Sequence, residues 1–124
     1  MAYARKGLGV IALSALLAYG CGVSGEQDSG VSKEKTGTNA AQPIFSSMCQ
    51  PCHGSQGKGD GPAAAALPNK PADLTSDATQ KKSDTDLENI IRDGRQEKGM
   101  PPWKSLAAKD IKNLVLYIRY LGGK

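Results

Sequence analysis

Apolar side chains recur at helical spacing in three segments of this 124-residue chain. The clearest segment lies near the C-terminus, where the apolar positions are Ile111, Leu114, Val115, Ile118 and Leu121. Steps of three and four residues place these side chains on one face of an α-helix. We therefore predict a helix over residues 107–121, ended by the two glycines that follow it.

Two shorter patterns predict further helices. The segment 84–93 carries an apolar stripe, and it is preceded by Ser83 with Asp86 three residues later, which is the spacing of a capping box. Gly94 would end that helix. Residues 39–48 carry a third apolar face. Because no segment alternates between apolar and polar residues as a strand does, we predict an all-α fold.

The N-terminal residues 1–20 have the pattern of a secretory signal peptide. Arg5 and Lys6 precede an apolar run of eleven residues, 8–18, whereas a transmembrane helix needs about 20 residues. The run ends in Leu-Ala-Tyr-Gly followed by Cys21, which resembles a bacterial lipobox. We expect Cys21 to be lipidated and to become the first mature residue; the alternative is an ordinary signal peptide cut nearby.

Residues 22–38 are rich in Gly, Ser, Thr and charge and contain no aromatic residue. Such a segment cannot bury enough apolar surface to offset its conformational entropy. We therefore predict that residues 21–38 form a flexible, lipid-anchored tether with a stretched length of roughly 60 Å. The folded domain would cover residues 39–124, which is small enough to need a staple or a bound group for stability.

The sequence Cys49-Gln-Pro-Cys52-His53 indicates the chemistry of that domain. Two residues between the cysteines put both sulfurs on one side of a helical turn, where they can add across the two vinyl groups of a haem. His53 follows at once and would supply the proximal nitrogen to the iron. This spacing is the attachment motif of a c-type haem, so we predict one covalent haem held by Cys49 and Cys52.

Two other uses of a Cys-x-x-Cys motif are open. A thioredoxin-like dithiol belongs near a strand–helix–strand pattern, which this sequence lacks. A zinc site would need two further ligands, yet His53 is the only histidine and Cys21 is explained by the lipobox. Export of the protein also favours haem, because bacteria attach c-type haem outside the cytoplasm.

The sixth iron ligand is sought among the methionines. Met1 leaves with the signal peptide, and Met48 adjoins Cys49, which would hold it on the wrong side of the porphyrin. Met100 remains, in the sequence Gly-Met-Pro-Pro-Trp, where glycine lets the backbone bend and the prolines stiffen the loop. We predict that Met100 ligates the iron; the alternative is a methionine that fills a gap in a small core.

The net charge of the chain adds little to the predicted function. The formal net charge is +4, and removing Arg5 and Lys6 from the 16 basic residues leaves 14 against 12 acidic ones, or +2. No basic stripe is present, so we expect no binding of nucleic acid. Four lysines flank the segments expected near the haem and could attract an acidic redox partner, although they could equally be a solvated face: Lys58, Lys70, Lys98 and Lys104.

Together these motifs resemble a bacterial class I monohaem cytochrome c. The set comprises the Cys-x-x-Cys-His motif, Gly-Lys-Gly-Asp-Gly-Pro at 57–62, Gly-Met-Pro-Pro-Trp at 99–103 and Asp-Ile-x-x-Leu-Val-x-Tyr-Ile-Arg at 110–119. It is particularly similar to the small cytochrome modules related to terminal-oxidase subunit III, over residues 40–121. The resemblance implies helices packed around one covalent haem, with the first and last helices crossing so that Phe45 approaches Leu114, Tyr117 and Ile118.

The resemblance also implies one-electron transfer between protein partners, in a respiratory or related chain outside the cytoplasm. We therefore expect an electron carrier rather than an enzyme, a monomer, held on the periplasmic side of a bacterial membrane by its lipid. The alternative is a haem-based peroxidase or gas-binding sensor in which Met100 leaves the iron. The family often has a Ser or Thr cap three residues before Asp110, where this chain has Ala107.

Overall fold

The computed structural model describes residues 29–124, and side chains from residue 34 onward. Five α-helices follow one another in this part of the chain: α1 Ser29–Ile44, α2 Gln50–His53, α3 Asp77–Gln80, α4 Asp84–Asp93 and α5 Ala108–Leu121. A turn of π-helix at Phe45–Cys49 joins α1 to α2, and short 3-10 turns lie at Ala64–Ala66 and Gln96–Lys98. Residues 29–124 form no strand beyond one isolated bridge, which confirms the all-α prediction. None of the described helices is long and apolar enough to cross a membrane.

The two C-terminal helices lie where the apolar periodicity predicted them. Helix α4 has the predicted bounds, and its capping box is formed: the Asp86 backbone N–H donates to Ser83 Oγ at 3.1 Å. The Asp86 carboxylate in turn accepts a hydrogen bond from the Ser83 backbone N–H. Helix α5 begins one residue later than predicted, and Ala107 at its N-cap gives no side-chain hydrogen bond.

The prediction for the first helix was wrong at its start. Helix α1 begins at Ser29, ten residues before the predicted start at Asn39. Residues 29–38, which we assigned to the flexible tether, therefore lie in α1, and the boundary between tether and folded domain stays a prediction. Residues 21–28 of the predicted tether, the predicted signal peptide at 1–20 and the predicted lipidation site Cys21 lie outside the described residues.

A close crossing of α1 and α5 explains the longer helix. Gly37, Ala41 and Phe45 are spaced by four residues and are all buried, so they form one face that continues from α1 into the π-helical turn. A Cβ atom on Gly37 would lie 2.6 Å from Leu116 Cδ1 of α5. Glycine at this position therefore permits a close approach of the two helices. A composition that resembles a linker here serves as a helix contact.

The helix crossing also places the aromatic residue that the resemblance implied. The Phe45 side chain is 1% exposed, and its ring centroid lies 4.9 Å from that of Tyr117, with the planes tilted by 48°. Leu114 and Ile118 belong to the same buried core. The predicted approach of the first and last helices is thus confirmed.

The segment around α3, which the sequence did not predict, is tied to the C-terminal end of α5. Gln80 is 7% exposed, and its Nε2 donates to the carbonyl oxygens of Leu74 at 2.7 Å and Ile118 at 3.0 Å. The Arg119 guanidinium donates to the carbonyl oxygens of Gln80 and Lys82 and forms an ion pair with Asp84. These bonds fix the chain between α3 and α4, where Lys82 lies.

Candidate haem site

The glycine-rich loop after α2 caps the helix that carries the Cys-x-x-Cys-His motif. Each of the four carbonyl oxygens of α2 accepts a hydrogen bond from a loop amide: Gln50 O from Gly54 N (2.8 Å), Pro51 O from Ala63 N (2.8 Å), Cys52 O from Gly61 N (3.1 Å) and His53 O from Gly59 N (2.8 Å). A helix of four residues cannot satisfy these acceptors itself. The loop therefore holds the short helix in a single conformation.

Two glycines show why the loop needs this composition. Gly59 has φ +72°, a left-handed conformation that other residues rarely adopt. Gly61 lies against α2 itself, because a Cβ atom there would lie 2.6 Å from the carbonyl oxygen of Gln50. The role of this loop in capping α2 was not visible in the sequence.

The imidazole of His53 is oriented by a distant backbone carbonyl. Its Nδ1 lies 3.0 Å from the carbonyl oxygen of Ala72, in the proline-rich strap (residues 68–74) that follows the loop. An Nδ1–H that donates to this oxygen leaves the Nε2 lone pair available to a metal. Burial lowers the pKa of His53, and the hydrogen bond to Ala72 opposes that shift. The neutral ring is the form that a haem iron binds.

Both cysteines of the motif are half-buried, and they do not form a disulfide with each other. Burial, with a smaller contribution from the neighbouring Cys52, raises the pKa of Cys49 to about 11. The Cys49 thiol is therefore protonated at neutral pH and is a poor metal ligand or exchange nucleophile in this state. The described residues also contain no group of three or more His, Cys, Asp and Glu side chains that could hold a metal ion.

One cavity of about 240 Å³ brings the predicted site residues together. Cys49, Cys52, His53 and Met100 all line it. Its remaining wall is largely apolar and includes Phe45, Leu74, Leu87, Ile91, Leu114 and Ile118. The helices that periodicity predicted therefore supply part of the apolar wall, and the two sequence motifs supply the sulfur and nitrogen atoms.

The loop that carries Met100 is held by its own backbone. Arg95 N donates to Met100 O at 2.9 Å and Met100 N donates to Arg95 O at 3.0 Å, which closes the isolated bridge. Gly99 within the loop has φ +84°. The amide of Trp103 then donates to the carbonyl oxygen of Ile91 at 3.2 Å. This hydrogen bond attaches the C-terminal side of the loop to the last turn of α4. These bonds set the position of Met100 against the cavity.

Met48 lines the same cavity, with 40% of its surface exposed. From the sequence, we excluded Met48 as an iron ligand because it adjoins Cys49. The structure thus brings two methionine thioethers to one cavity. The assignment of Met100 as the ligand stays a prediction that a pair of variants can test.

Basic side chains lie around the cavity, and the described part of the chain supplies no acidic side chain to its lining. Lys70 and Lys98 are among them, whereas Lys58 and Lys104 are not. Lys82 and Arg95, which were not among the lysines expected near the haem, also line the cavity. Both flank α4, whose apolar stripe was predicted to be buried, and that position was the available signal.

The residues of the cavity fit a covalently held haem. Two thiols at the attachment spacing, an imidazole with a free nitrogen, a thioether and a largely apolar wall are the groups that such a haem needs. The comparison with protein families agrees. Residues 37–118 match the family described as cytochrome C oxidase, cbb3-type, subunit III. The chain belongs to this family.

Membership of the cbb3-type subunit III family makes the chain a class I monohaem cytochrome c with covalently bound haem c, and such proteins serve haem-based electron transfer. A chain of the reducing HAO-like protein complex of Kuenenia stuttgartiensis is similar in structure, with a TM-score of 0.63 and 29% sequence identity. The match covers 70% of this chain and 44% of that chain, so this cytochrome spans less than half the length of that relative. No curated protein matches the sequence.

Proposed function

We propose that this cytochrome is a one-electron carrier in an electron-transport chain outside the cytoplasm. Cys49 and Cys52 would hold the haem through thioethers, and His53 and Met100 would ligate its iron. The observation that carries the proposal is the meeting of these four side chains at one apolar cavity. A bound haem c supplies a reversible Fe(III)/Fe(II) couple.

The protein's own groups favour the reduced state. A thioether ligand is soft and raises the reduction potential. The apolar wall disfavours the extra positive charge of the ferric state, since it excludes the water that would solvate that charge. The Ala72 carbonyl acts in the opposite direction, because its hydrogen bond to His53 increases the basicity of the imidazole. A rigid loop and a fixed imidazole limit movement when the charge changes.

A matched pair of methionine variants tests the ligand assignment. Met100→Ala should lose the low-spin spectrum of the oxidised protein and lower the reduction potential, while Met48→Ala should keep both. The measurements are electron paramagnetic resonance and spectroelectrochemistry. An unchanged spectrum in Met100→Ala, or its loss in Met48→Ala, would reject the proposed ligand.

The side chains that line the cavity support electron transfer rather than catalysis. His53 is the only histidine of the chain, and no acidic side chain of residues 34–124 lines the cavity, so no acid–base pair faces a bound peroxide. Carbon monoxide separates the two uses. Reduced native protein should leave carbon monoxide unbound, because Met100 keeps its place; rapid binding would instead support the peroxidase or gas-sensor alternative.

The partners are proposed to be redox proteins with an acidic docking face. Two lysines around the cavity, Lys70 and Lys98, support this. The similar chain from Kuenenia stuttgartiensis is part of a protein complex, which supports a protein partner. Electron exchange with an acidic partner should slow steeply as salt increases. A rate independent of salt would exclude docking by charge.

Anchoring through Cys21 is a further part of the proposal and is supported by the lipobox-like sequence before it. Expressed in a bacterium that matures c-type haem, the wild-type protein should fractionate with membranes and take up labelled fatty acid. Cys21→Ser should abolish the label and leave the haem spectrum of any exported protein unchanged. Wild-type protein that is soluble and unlabelled would indicate an ordinary signal peptide.

A further inference from the structure

A small groove of about 230 Å³ adjoins the haem cavity beside α4. Lys82, Ile90 and Arg95 line both the groove and the cavity, and Asp86 and Asn89 complete the groove. Two positive charges therefore lie where the cavity opens into a polar recess. One negative charge, that of Asp86, opposes them.

Asp86 is already engaged in capping α4. Its carboxylate accepts hydrogen bonds from the backbone N–H and the hydroxyl of Ser83, at 3.3 Å and 2.7 Å. These hydrogen bonds are the main cause that lowers the pKa of Asp86, and the charge of Lys82 adds a smaller effect. The groove therefore keeps an excess of positive charge that Asp86 does not pair directly.

Arg95 differs from the other two arginines that the structure describes. Arg92 forms an ion pair with Asp93, and Arg119 forms one with Asp84. No hydrogen bond or ion pair joins the guanidinium of Arg95 to any side chain or carbonyl of residues 34–124. A planar guanidinium at the edge of a ligand cavity offers paired N–H donors that match a carboxylate.

The backbones that carry the two cations are both fixed. The backbone of Arg95 forms the two-bond bridge with Met100, so the base of its side chain has a set position relative to the proposed ligand loop. The carbonyl oxygen of Lys82 accepts a hydrogen bond from Arg119 at 2.6 Å. Both side chains are exposed, and their fixed backbones hold the two cations at one groove, where they can converge on one anion.

We propose that Arg95 and Lys82 form a receptor for a carboxylate of the haem, one of its two propionates, and that Arg95 is a positioning residue that joins the haem edge to the Met100 loop. The inference rests on the proposed function, since it needs the haem in the cavity. A propionate is the anion that haem c itself brings, and Arg95 and Lys82 are the cations that line both spaces. The bond is an ion pair with hydrogen bonds and involves no covalent step.

The test compares equal losses of charge around the cavity. Arg95→Gln and Lys82→Gln each remove one positive charge from the groove, and Lys98→Gln removes one from the cavity lining outside the groove. Loss of a positive charge at a propionate stabilises the ferric state. We expect Arg95→Gln to shift the redox equilibrium towards Fe(III) by about threefold, or about 28 mV at about 59 mV per decade for one electron.

Measurements at different ionic strengths distinguish a direct ion pair between Arg95 and the propionate from a general electrostatic effect of positive charge near the haem. The shift in Arg95→Gln should persist at about 1 M salt, where the Debye length is about 3 Å, while that of Lys98→Gln should vanish. Arg95→Lys should recover part of the shift. The propionate bands in redox-difference infrared spectra should move in Arg95→Gln and should not move in Arg95→Lys or Lys98→Gln. Equal, salt-sensitive shifts in Arg95→Gln and Lys98→Gln, with unmoved bands, would overturn the proposal.

Two controls are needed to interpret the redox shifts. If Arg95→Gln loses Met100 ligation, Lys82→Gln carries the test, because Lys82 lies outside that loop; no salt-resistant shift in it would then overturn the proposal. Haem content and low-spin spectrum are measured in every protein. Wild-type protein without haem would overturn both the proposed function and this inference. Wild-type protein with intact haem, combined with groove variants that show no salt-resistant redox shift, would overturn this inference alone.

Discussion

The Nδ1 nitrogen of His53 lies 3.0 Å from the carbonyl oxygen of Ala72, nineteen residues further along the chain. The strap at Ala72 thus orients the imidazole that the adjacent cysteines carry into the cavity. A ligand nitrogen whose partner N–H is held by a carbonyl is a stronger donor to a metal. The strength of this hydrogen bond should therefore be measurable in the properties of the iron.

Ala72→Gly should loosen that hydrogen bond. Added backbone freedom weakens the hold of the carbonyl on the imidazole, so the reduction potential should rise and the hyperfine-shifted proton resonances of His53 should move. Ala66→Gly, at another exposed alanine, is the control. Both variants should lose a similar 0.4–1 kcal/mol or so of stability, and only Ala72→Gly should change the potential. Equal potentials in the two variants would show that the hydrogen bond does not tune the iron.

Gly61→Ala should disrupt the capping of α2. The new Cβ would lie 2.6 Å from the carbonyl oxygen of Gln50, and backbone cannot give way as a flexible side chain can. We expect a loss of about 1–3 kcal/mol in the free energy of unfolding and a lower yield of haem-loaded protein. Chemical denaturation measures the first and absorbance the second. Ser55→Ala, in the same loop, should be neutral; equal behaviour of the two would reject the capping role.

Gly37→Val tests whether residues before 39 belong to the folded domain. Gly37 is buried against Leu116, whereas Ala40 on the same helix is exposed. Overpacking at the crossing should cost about 1–3 kcal/mol of stability, and Ala40→Val should cost only about 0.5 kcal/mol through helix propensity. Thermal unfolding of both variants measures the difference. A Gly37→Val protein as stable as wild type would return residues 29–38 to the tether.

Ser83→Ala should remove the cap of α4 and cost about 1 kcal/mol. The cost should depend on pH, because hydrogen bonds from Ser83 hold the pKa of Asp86 below its ordinary value of 3.8. A lowered pKa in the folded state means that the stabilisation is complete above the ordinary pKa and is lost as pH falls through the folded value. The difference from wild type should therefore be constant near neutral pH and shrink below about pH 4.

The converse substitution at α5 serves as the partner experiment. Ala107 has an extended conformation, with φ −62° and ψ 147°, and gives no cap, while Asp110 stands three residues later. Ala107→Ser should therefore complete a capping box and raise stability by about 1 kcal/mol. A gain at Ala107 together with a loss at Ser83 would establish that both termini follow the same rule; a neutral Ala107→Ser would limit that rule to α4.

Local patterns predicted the parts of the fold that local forces determine. Helices α4 and α5 follow from apolar periodicity, and the cap of α4 follows from Ser83 and Asp86. The motif at residues 49–53 and Met100 was sufficient to place these residues in one site by their chemistry, and the structure brings them to one cavity.

What the sequence did not reveal depends on distant contacts. Gly37 contacts Leu116 on the last helix, where a Cβ atom would lie 2.6 Å from Leu116 Cδ1, and no local pattern contains that partner. The roles of Lys82 and Arg95 depend on how the ends of α4 meet the cavity. Composition described residues 29–38 as a linker because small residues favour both loose chain and close helix packing.

Peptide mass spectrometry of the exported, matured protein tests the central claim most directly. Trypsin should release residues 36–58, which contain both cysteines of the motif and His53. Alkylation is done in denaturant, because burial and a raised pKa would protect the Cys49 thiol even without haem. The account predicts that this peptide carries the mass of one haem and takes up no alkylating reagent. A colourless peptide alkylated at both Cys49 and Cys52 would contradict it.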